Sequence, residues 1–227
     1  MYQAETMQPV GKQIRPAGTV SVINFSPDGR ILATGVVEGV VELWDPATGE
    51  SVGRPMAGDT SVQRIAFGPD THLLAAAYAD NTLHLWDTGT SQPVGDPIHL
   101  DSRANALAFD PAGRTVASGG ADGTIQLFDV SDHSRLGGPL TGNTAQVTSL
   151  QFSPDGTKLL SASSDGAVRL WQVPAHYPDA ARYALCAKLT HNPSEEQWNE
   201  WVSDRIDIPY KDACTNLPRS KYAYAPR

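Results

Sequence analysis

Two cysteines, Cys186 and Cys214, are all that this chain of 227 residues contains. They are too few for a disulfide-scaffolded fold and lack the paired spacing of a zinc site. No apolar run approaches the roughly 18 residues of a membrane-spanning helix. The start, MYQAETMQPVGKQ, has neither the basic residues nor the apolar core of a secretory signal, so a cytoplasmic location is expected. Basic residues are scarce, with 17 Lys and Arg against 25 Asp and Glu and a formal charge of −8. The deficit lies wholly in residues 1–174, which carry 10 basic and 18 acidic residues, whereas 175–227 carry 7 of each. Phosphate recognition needs clustered Lys and Arg to displace counterions, so nucleic acid and anionic membranes are not expected partners. The acidic surface reads as solvated.

Catalytic signatures are missing as well. The six histidines, His72, His84, His99, His133, His176 and His191, form no HExxH or other close ligand pair. Ser161, Ser163 and Ser164 neighbour Asp165, but no Gly-x-Ser-x-Gly elbow accompanies them. No paired carboxylates share a strand face at catalytic spacing. Enzymatic activity, bound metal and cofactor are therefore not expected.

What the sequence does have is self-similarity. Phe25, Phe67, Phe109 and Phe152 recur at steps of 42, 42 and 43 (67−25, 109−67, 152−109), and Trp44, Trp86, Phe128 and Trp171 keep the same steps. Such a period decides the architecture. Each repeat opens with an alternating strand (VSVINF, VQRIAF, ANALAF, VTSLQF) and a turn (SPDGR, GPDTH, DPAGR, SPDGT). Thr71 replaces the exit glycine of the second turn, which should strain it. A second strand leads to a hairpin tipped by Glu38-Gly39, Asp80-Asn81, Asp122-Gly123 or Asp165-Gly166, dipeptides suited to tight hairpins. The third strand is VVELW, TLHLW, TIQLF or AVRLW. Its centre, Glu42, His84, Gln126 or Arg169, accepts either charge and is expected to face water; Leu43, Leu85, Leu127 and Leu170 beside it should pack between sheets. A looser, proline-bearing fourth strand (ESVGRPM, QPVGDPI, SRLGGPL) suits an outer edge. Four-stranded sheets at this period predict an all-β fold of β-propeller blades, with repeats near 17–58, 59–100, 101–142 and 143–174.

The turn, the Asp-Gly hairpin and the endings Leu43-Trp44-Asp45 and Leu85-Trp86-Asp87 resemble WD-repeats over about three quarters of the chain. The resemblance implies a hydrogen-bonded tetrad of loop His, strand Ser/Thr, Trp and hairpin acid. The Ser/Thr place holds Thr34, Ala76, Ser118 and Ser161. The acidic place holds Glu38, Asp80, Asp122 and Asp165, and the aromatic place Trp44, Trp86, Phe128 and Trp171. The His place holds Ala17, Asp59, Asp101 and Asn143, so no repeat is complete. Each missing link is expected to forfeit roughly 0.5–1.5 kcal/mol and leave the blades softer.

Shifted by 42, Val10-Gly11 falls on Val52-Gly53, which makes residues 7–14 an orphan outer strand. Either this strand completes the blade of Val147–Gln172 and closes a ring, or the chain is an open partial propeller, part of a longer one or sharing blades between chains. Beyond Pro174 the period stops. DAARYALCAKLTHN and the capping-box run Ser194-Glu195-Glu196-Gln197 predict a helical cap over 175–227, with Trp198, Trp201 and Val202 on one stripe.

This tail is similar to the ends of large actinobacterial signalling proteins that join a STAND-class NTPase to WD-repeats. The carrying residues are Leu185-Cys186-Ala187, Glu196-Gln197-Trp198, Pro209-Tyr210 and Ala213-Cys214 through Leu217-Pro218. The chain has no GxxxxGK[ST] phosphate loop, so no NTPase activity carries over. The resemblance admits an extracytoplasmic setting in which Cys186 and Cys214 pair; the other reading is two buried free thiols. Function is expected to be protein–protein interaction, as the sensor end of such a parent, through the loops bearing Tyr78, His99, Arg103 and Gln146. A small-ligand or hydrolytic propeller using the central channel is the alternative.

Overall fold

In the computed structural model of the protein, residues 12–173 are described. The expected tail helices, the Cys186–Cys214 pair and the residues behind the second resemblance lie outside them, as do residues 1–11. The described residues all belong to Met1–Pro174, the first of the two units into which the chain divides.

Each repeat folds into one antiparallel sheet whose strands pair in chain order. The first blade holds β1 (Val20–Phe25), β2 (Leu32–Val36), β3 (Val40–Trp44) and β4 (Ser51–Ala57). The second holds β5 (Val62–Phe67), β6 (Leu73–Tyr78) and β7 (Thr82–Asp87), its outer strand split into β8 (Gln92–Pro93) and β9 (Ile98–His99). The third holds β10 (Ala104–Phe109), β11 (Thr115–Gly120) and β12 (Ile125–Asp129), with an outer strand reduced to bridges at Arg135 and Leu140. The fourth blade holds β13 (Val147–Phe152), β14 (Lys158–Ser163) and β15 (Val168–Gln172), with no outer strand among the described residues.

Local geometry follows the turn chemistry. Gly29, Gly113 and Gly156 leave their turns at φ of 71°, 68° and 69°, and Thr71 is held at 65° in the same place. A β-branched residue there is strained, as expected. One feature has no sequence signal: every first strand carries a bulge after its first residue, at Val20/Val22, Val62/Arg64, Ala104/Ala106 and Val147/Ser149. The bulge frees Ser21 and Asn105 from their ladders. The Ser21 hydroxyl then donates to Val62 O at 2.6 Å, and Asn105 Nδ2 donates to Gln146 Oε1 at 2.9 Å, each crossing to the next blade.

The core is three clusters, each filling the space between consecutive sheets. Val41, Leu43 and Met56 meet Val62, Ile65 and Phe67. Leu83 and Leu85 meet Ala104 and Val116. Ile125 and Leu127 meet Val147, Leu150 and Phe152. Each fully buried side chain of this kind contributes about 1.5–3 kcal/mol. Among the described residues no cluster joins the fourth blade to the first. The two ends instead expose Val20, Ile23 and Phe25 on one side and Leu160, Val168 and Leu170 on the other. The described residues of the four blades therefore form an open arc, the second of the two arrangements expected; residues 7–11 of the leading strand lie outside the described residues. Its described part, from Lys12, lies against the first blade, where Lys12 Nζ reaches Glu50 Oε1 at 3.2 Å.

Candidate functional site

One end of the arc gathers the loops that enter each blade and the hairpins between second and third strands. Backbone bonds tie them in pairs: Val37 N donates to Thr19 O at 2.8 Å, Ala79 N to Ser61 O at 2.9 Å, Ala121 N to Arg103 O at 2.9 Å and Ser164 N to Gln146 O at 3.0 Å. His99, Arg103 and Gln146 lie on this end and are exposed. The Gln146 amide is already engaged, accepting from Asn105 and donating from Nε2 to Ser164 Oγ at 3.2 Å. Tyr78 must be withdrawn as a contact residue. It ends β6 instead of standing on a loop and is 1% exposed. Its equivalents Val36, Gly120 and Ser163 are buried too, and that equivalence was the sequence signal for its placement.

The third-strand centres also depart from expectation. Gln126 is buried and Glu42, His84 and Arg169 are half-buried, and all but His84 bond to their entry loops. Glu42 Oε2 accepts the Ala17 N–H at 3.0 Å. Gln126, 4% exposed, donates from Nε2 to Asp101 Oδ2 and accepts the Asp101 N–H at 3.3 Å. Arg169 Nη1 donates to Asn143 Oδ1 at 3.0 Å and Asp165 Oδ2 at 2.9 Å. His84 lies between rings, 4.7 Å from Tyr78 and stacked on Trp86 at 5.9 Å. Burial lowers its pKa, against the pull of the Asp80 and Asp59 carboxylates. In the first, third and fourth blades the third-strand centre thus bonds to the residue that replaced the histidine.

The tetrad consequently survives unevenly. In the first blade Trp44 Nε1 donates to Thr34 Oγ1 at 2.9 Å. In the fourth, a relay runs from Trp171 Nε1 to Ser161 Oγ at 2.8 Å, on to Asn143 Oδ1 at 3.4 Å, and through Arg169 to Asp165. Asn143 Nδ2 also donates to Gly123 O of the third blade at 3.1 Å. The fourth blade therefore does not forfeit the links that its sequence lacks. Phe128 has no N–H to give in the third blade, whose hairpin acid Asp122 accepts from Ser102 Oγ at 2.9 Å. In the second blade Ala76 offers no hydroxyl. Trp86 Nε1 and the Tyr78 hydroxyl are buried without a hydrogen-bond partner, and burial pushes the Tyr78 pKa up to about 12.

A cavity of about 500 Å³ lies between the outer strands of the second and third blades, lined by Asp96, His99, Phe128, Asp132, His133 and Arg135 among others. His133 Nδ1 is 2.7 Å from Asp96 O, and Arg135 makes two 2.9 Å bonds to Asp101 while lying 5.7 Å above the Phe128 ring. Among the described residues no group of three or more His, Cys, Asp or Glu could hold a metal ion. No helix of those residues is long and apolar enough to cross a membrane.

Four stacked antiparallel sheets, each with its aromatic and its hairpin acid or glutamate, define a propeller-type repeat protein. The WD domain, G-beta repeat family matches residues 9–45, 51–87, 97–129 and 135–172, and the chain belongs to the WD40 repeat family. No curated protein matches. Among solved structures, it is similar to the computationally designed Ika4 protein at 27% identity and a TM-score of 0.61, covering 74% of this chain and 99% of that one. It is also similar to the computationally designed Ika8 protein at 27% identity and a TM-score of 0.62, covering 76% of this chain and 51% of that one.

Proposed function

We propose that this chain is a non-catalytic protein-interaction scaffold whose contact surface is the loop end of the arc. WD40 repeat domains generally mediate protein–protein interactions and are generally non-catalytic. The carrying observation is the charge of that end: Glu38, Asp59, Asp80, Asp101 and Asp122 are all exposed there, with Arg103 and His99 among them. Against a burial that would raise them, hydrogen bonds from the Thr82 hydroxyl and N–H to Asp80, and from the Thr124 N–H and hydroxyl to Asp122, hold both carboxyls below their ordinary range, so they stay charged at neutral pH. A rim of this sign selects a partner segment rich in Lys and Arg and speeds its approach. The tail resemblance supports a place at the sensor end of a STAND-type signalling protein, working in the cytoplasm.

The test is partner capture by immobilised chain. Asp59→Lys should weaken capture at least tenfold, whereas His99→Ala with Arg103→Ala, which removes positive charge from the rim, should not weaken it. Arg30→Glu should leave it unchanged, because Arg30 lies on a turn at the opposite end with its side chain 87% exposed. Capture indifferent to Asp59→Lys removes the surface assignment.

A further inference from the structure

The junctions within the arc obey one rule. Leu43 packs with Ile65 and Phe67, Leu85 with Leu107 and Phe109, and Leu127 with Leu150 and Phe152. The next members of the series are Leu170 on the fourth blade and Ile23 with Phe25 on the first. Leu170 is 62% exposed where its equivalents are 1%, 1% and 2%; Ile23 is 60% exposed where Ile65 is 5%. The hairpins agree. A Cβ on Gly39 or Gly123 would lie 2.7 or 2.6 Å from a carbonyl of the following entry loop, but nothing lies within 4 Å of one on Gly166.

The outer strands carry a second, independent sign. Arg54 N donates to Ser91 Oγ of the next blade at 3.0 Å, and Asp96 O lies 2.7 Å from His133 Nδ1 of the blade after. Lys12 stands 42 residues before Arg54, and Gly49 stands 42 before Ser91. Lys12 O lies 2.8 Å from where a Gly49 Cβ would be. The leading segment thus rests on the first blade in the manner of an outer strand belonging to a preceding blade. The fourth blade has the opposite deficit: among the described residues it has three strands, with β15 at an unpaired edge.

We propose that a second copy of this chain fills both gaps. The fourth blade of each copy packs on the first blade of the other, and the segment from Lys12 to Arg15 of that other copy lies along its open edge. The internal ladder sets the register: Val41 opposite Met56 becomes Val168 opposite Ile14. Strand addition of this kind satisfies the open edge of β15 and buries both apolar ends together. Two such junctions related by a two-fold axis close a ring of eight blades, within the four to eight that propellers usually have; three copies would need twelve.

Sedimentation of the full chain tests this. The wild type should have twice the monomer mass of 24.3 kDa. Ile23→Asp and Leu170→Lys should each halve that mass with unchanged circular dichroism, since both positions are already exposed within one copy. An equimolar mixture of the two variants should regain the dimer, because one junction is then unaltered and the other sets a carboxylate against an ammonium. A wild type that stays monomeric at the highest concentration reached overturns the proposal and leaves the bare ends to blades from a longer polypeptide. A Leu170→Lys variant that remains dimeric overturns it too, since first blades would then be meeting each other. So does a mixture that stays monomeric.

Discussion

The second and fourth blades solve one packing problem in opposite ways. Both must seat a tryptophan beside an entry loop that lacks the family's histidine. The fourth does so with polar atoms: Trp171, Ser161, Asn143, Arg169 and Asp165 pass hydrogen bonds along a continuous path. The second does so with rings. His84 stacks on Trp86 and meets Tyr78 at a tilt, and three polar atoms, of Thr60, Tyr78 and Trp86, stay buried and unpaired. A repeat can therefore lose its hydrogen-bond signature and keep its shape, provided that apolar contact replaces what electrostatics supplied. The cost is local: a buried donor left without an acceptor is worth roughly 1–3 kcal/mol.

The largest effect should come from removing the stacked ring. Trp86→Ala in the second blade is expected to cost roughly 3–5 kcal/mol, a fall in Tm of about 10 °C. Trp171→Ala should cost less, since that ring is only half-buried. Equal losses in urea unfolding would erase the distinction between the blades. Next, Ala76→Ser should move the second blade toward the fourth. A hydroxyl there meets the orphaned Trp86 N–H as Ser161 meets Trp171, raising stability by roughly 1 kcal/mol; no gain in Tm would mean that Trp86 already has another partner, such as water.

The smallest effect is acid sensitivity, and it sharpens the contrast. The Thr144 N–H, followed by Arg169, holds the Asp165 carboxyl well below its ordinary 3.8. The Ser153 hydroxyl, followed by the Thr157 N–H, lowers Asp155 to about 2. A depressed carboxylate contributes stability that is complete above its unfolded pKa and is lost as pH falls through the folded one. Asp165→Asn should therefore lower Tm at pH 7, and the gap to wild type should narrow below about pH 4. A gap as large at pH 2 as at pH 7 would assign the loss to geometry instead of charge.

Much of this architecture was legible in the residues. Apolar alternation, the Pro-Asp-Gly turns and the Asp-Gly tips placed every blade, and Leu43, Leu85 and Leu127 marked the buried face, whereas Leu170, expected to pack likewise, is 62% exposed. Three things were not legible. The bulges at Ser21, Gln63, Asn105 and Thr148 shift register without a distinctive residue type. Tyr78 looked like a loop aromatic because Asp80-Asn81 follows so closely, although Val36, Gly120 and Ser163 stand in its place elsewhere. The mixed charges at Glu42, His84, Gln126 and Arg169 suggested water because alternation assumes one wet face. In a stack of sheets both faces are covered, and varied charge then reports varied partners.

Those varied partners have a consequence for how the chain finds its own order. Repeats that resemble one another risk docking an entry loop on the wrong sheet as they fold. Asp101 is answered by Gln126 and Asn143 by Arg169, while Glu42 takes only the backbone N–H of Ala17. Seating the loop of Asp59 or Asp101 against Glu42 would bring two carboxylates together, a mismatch that like charges penalise. The replaced histidines thus leave each blade with its own address.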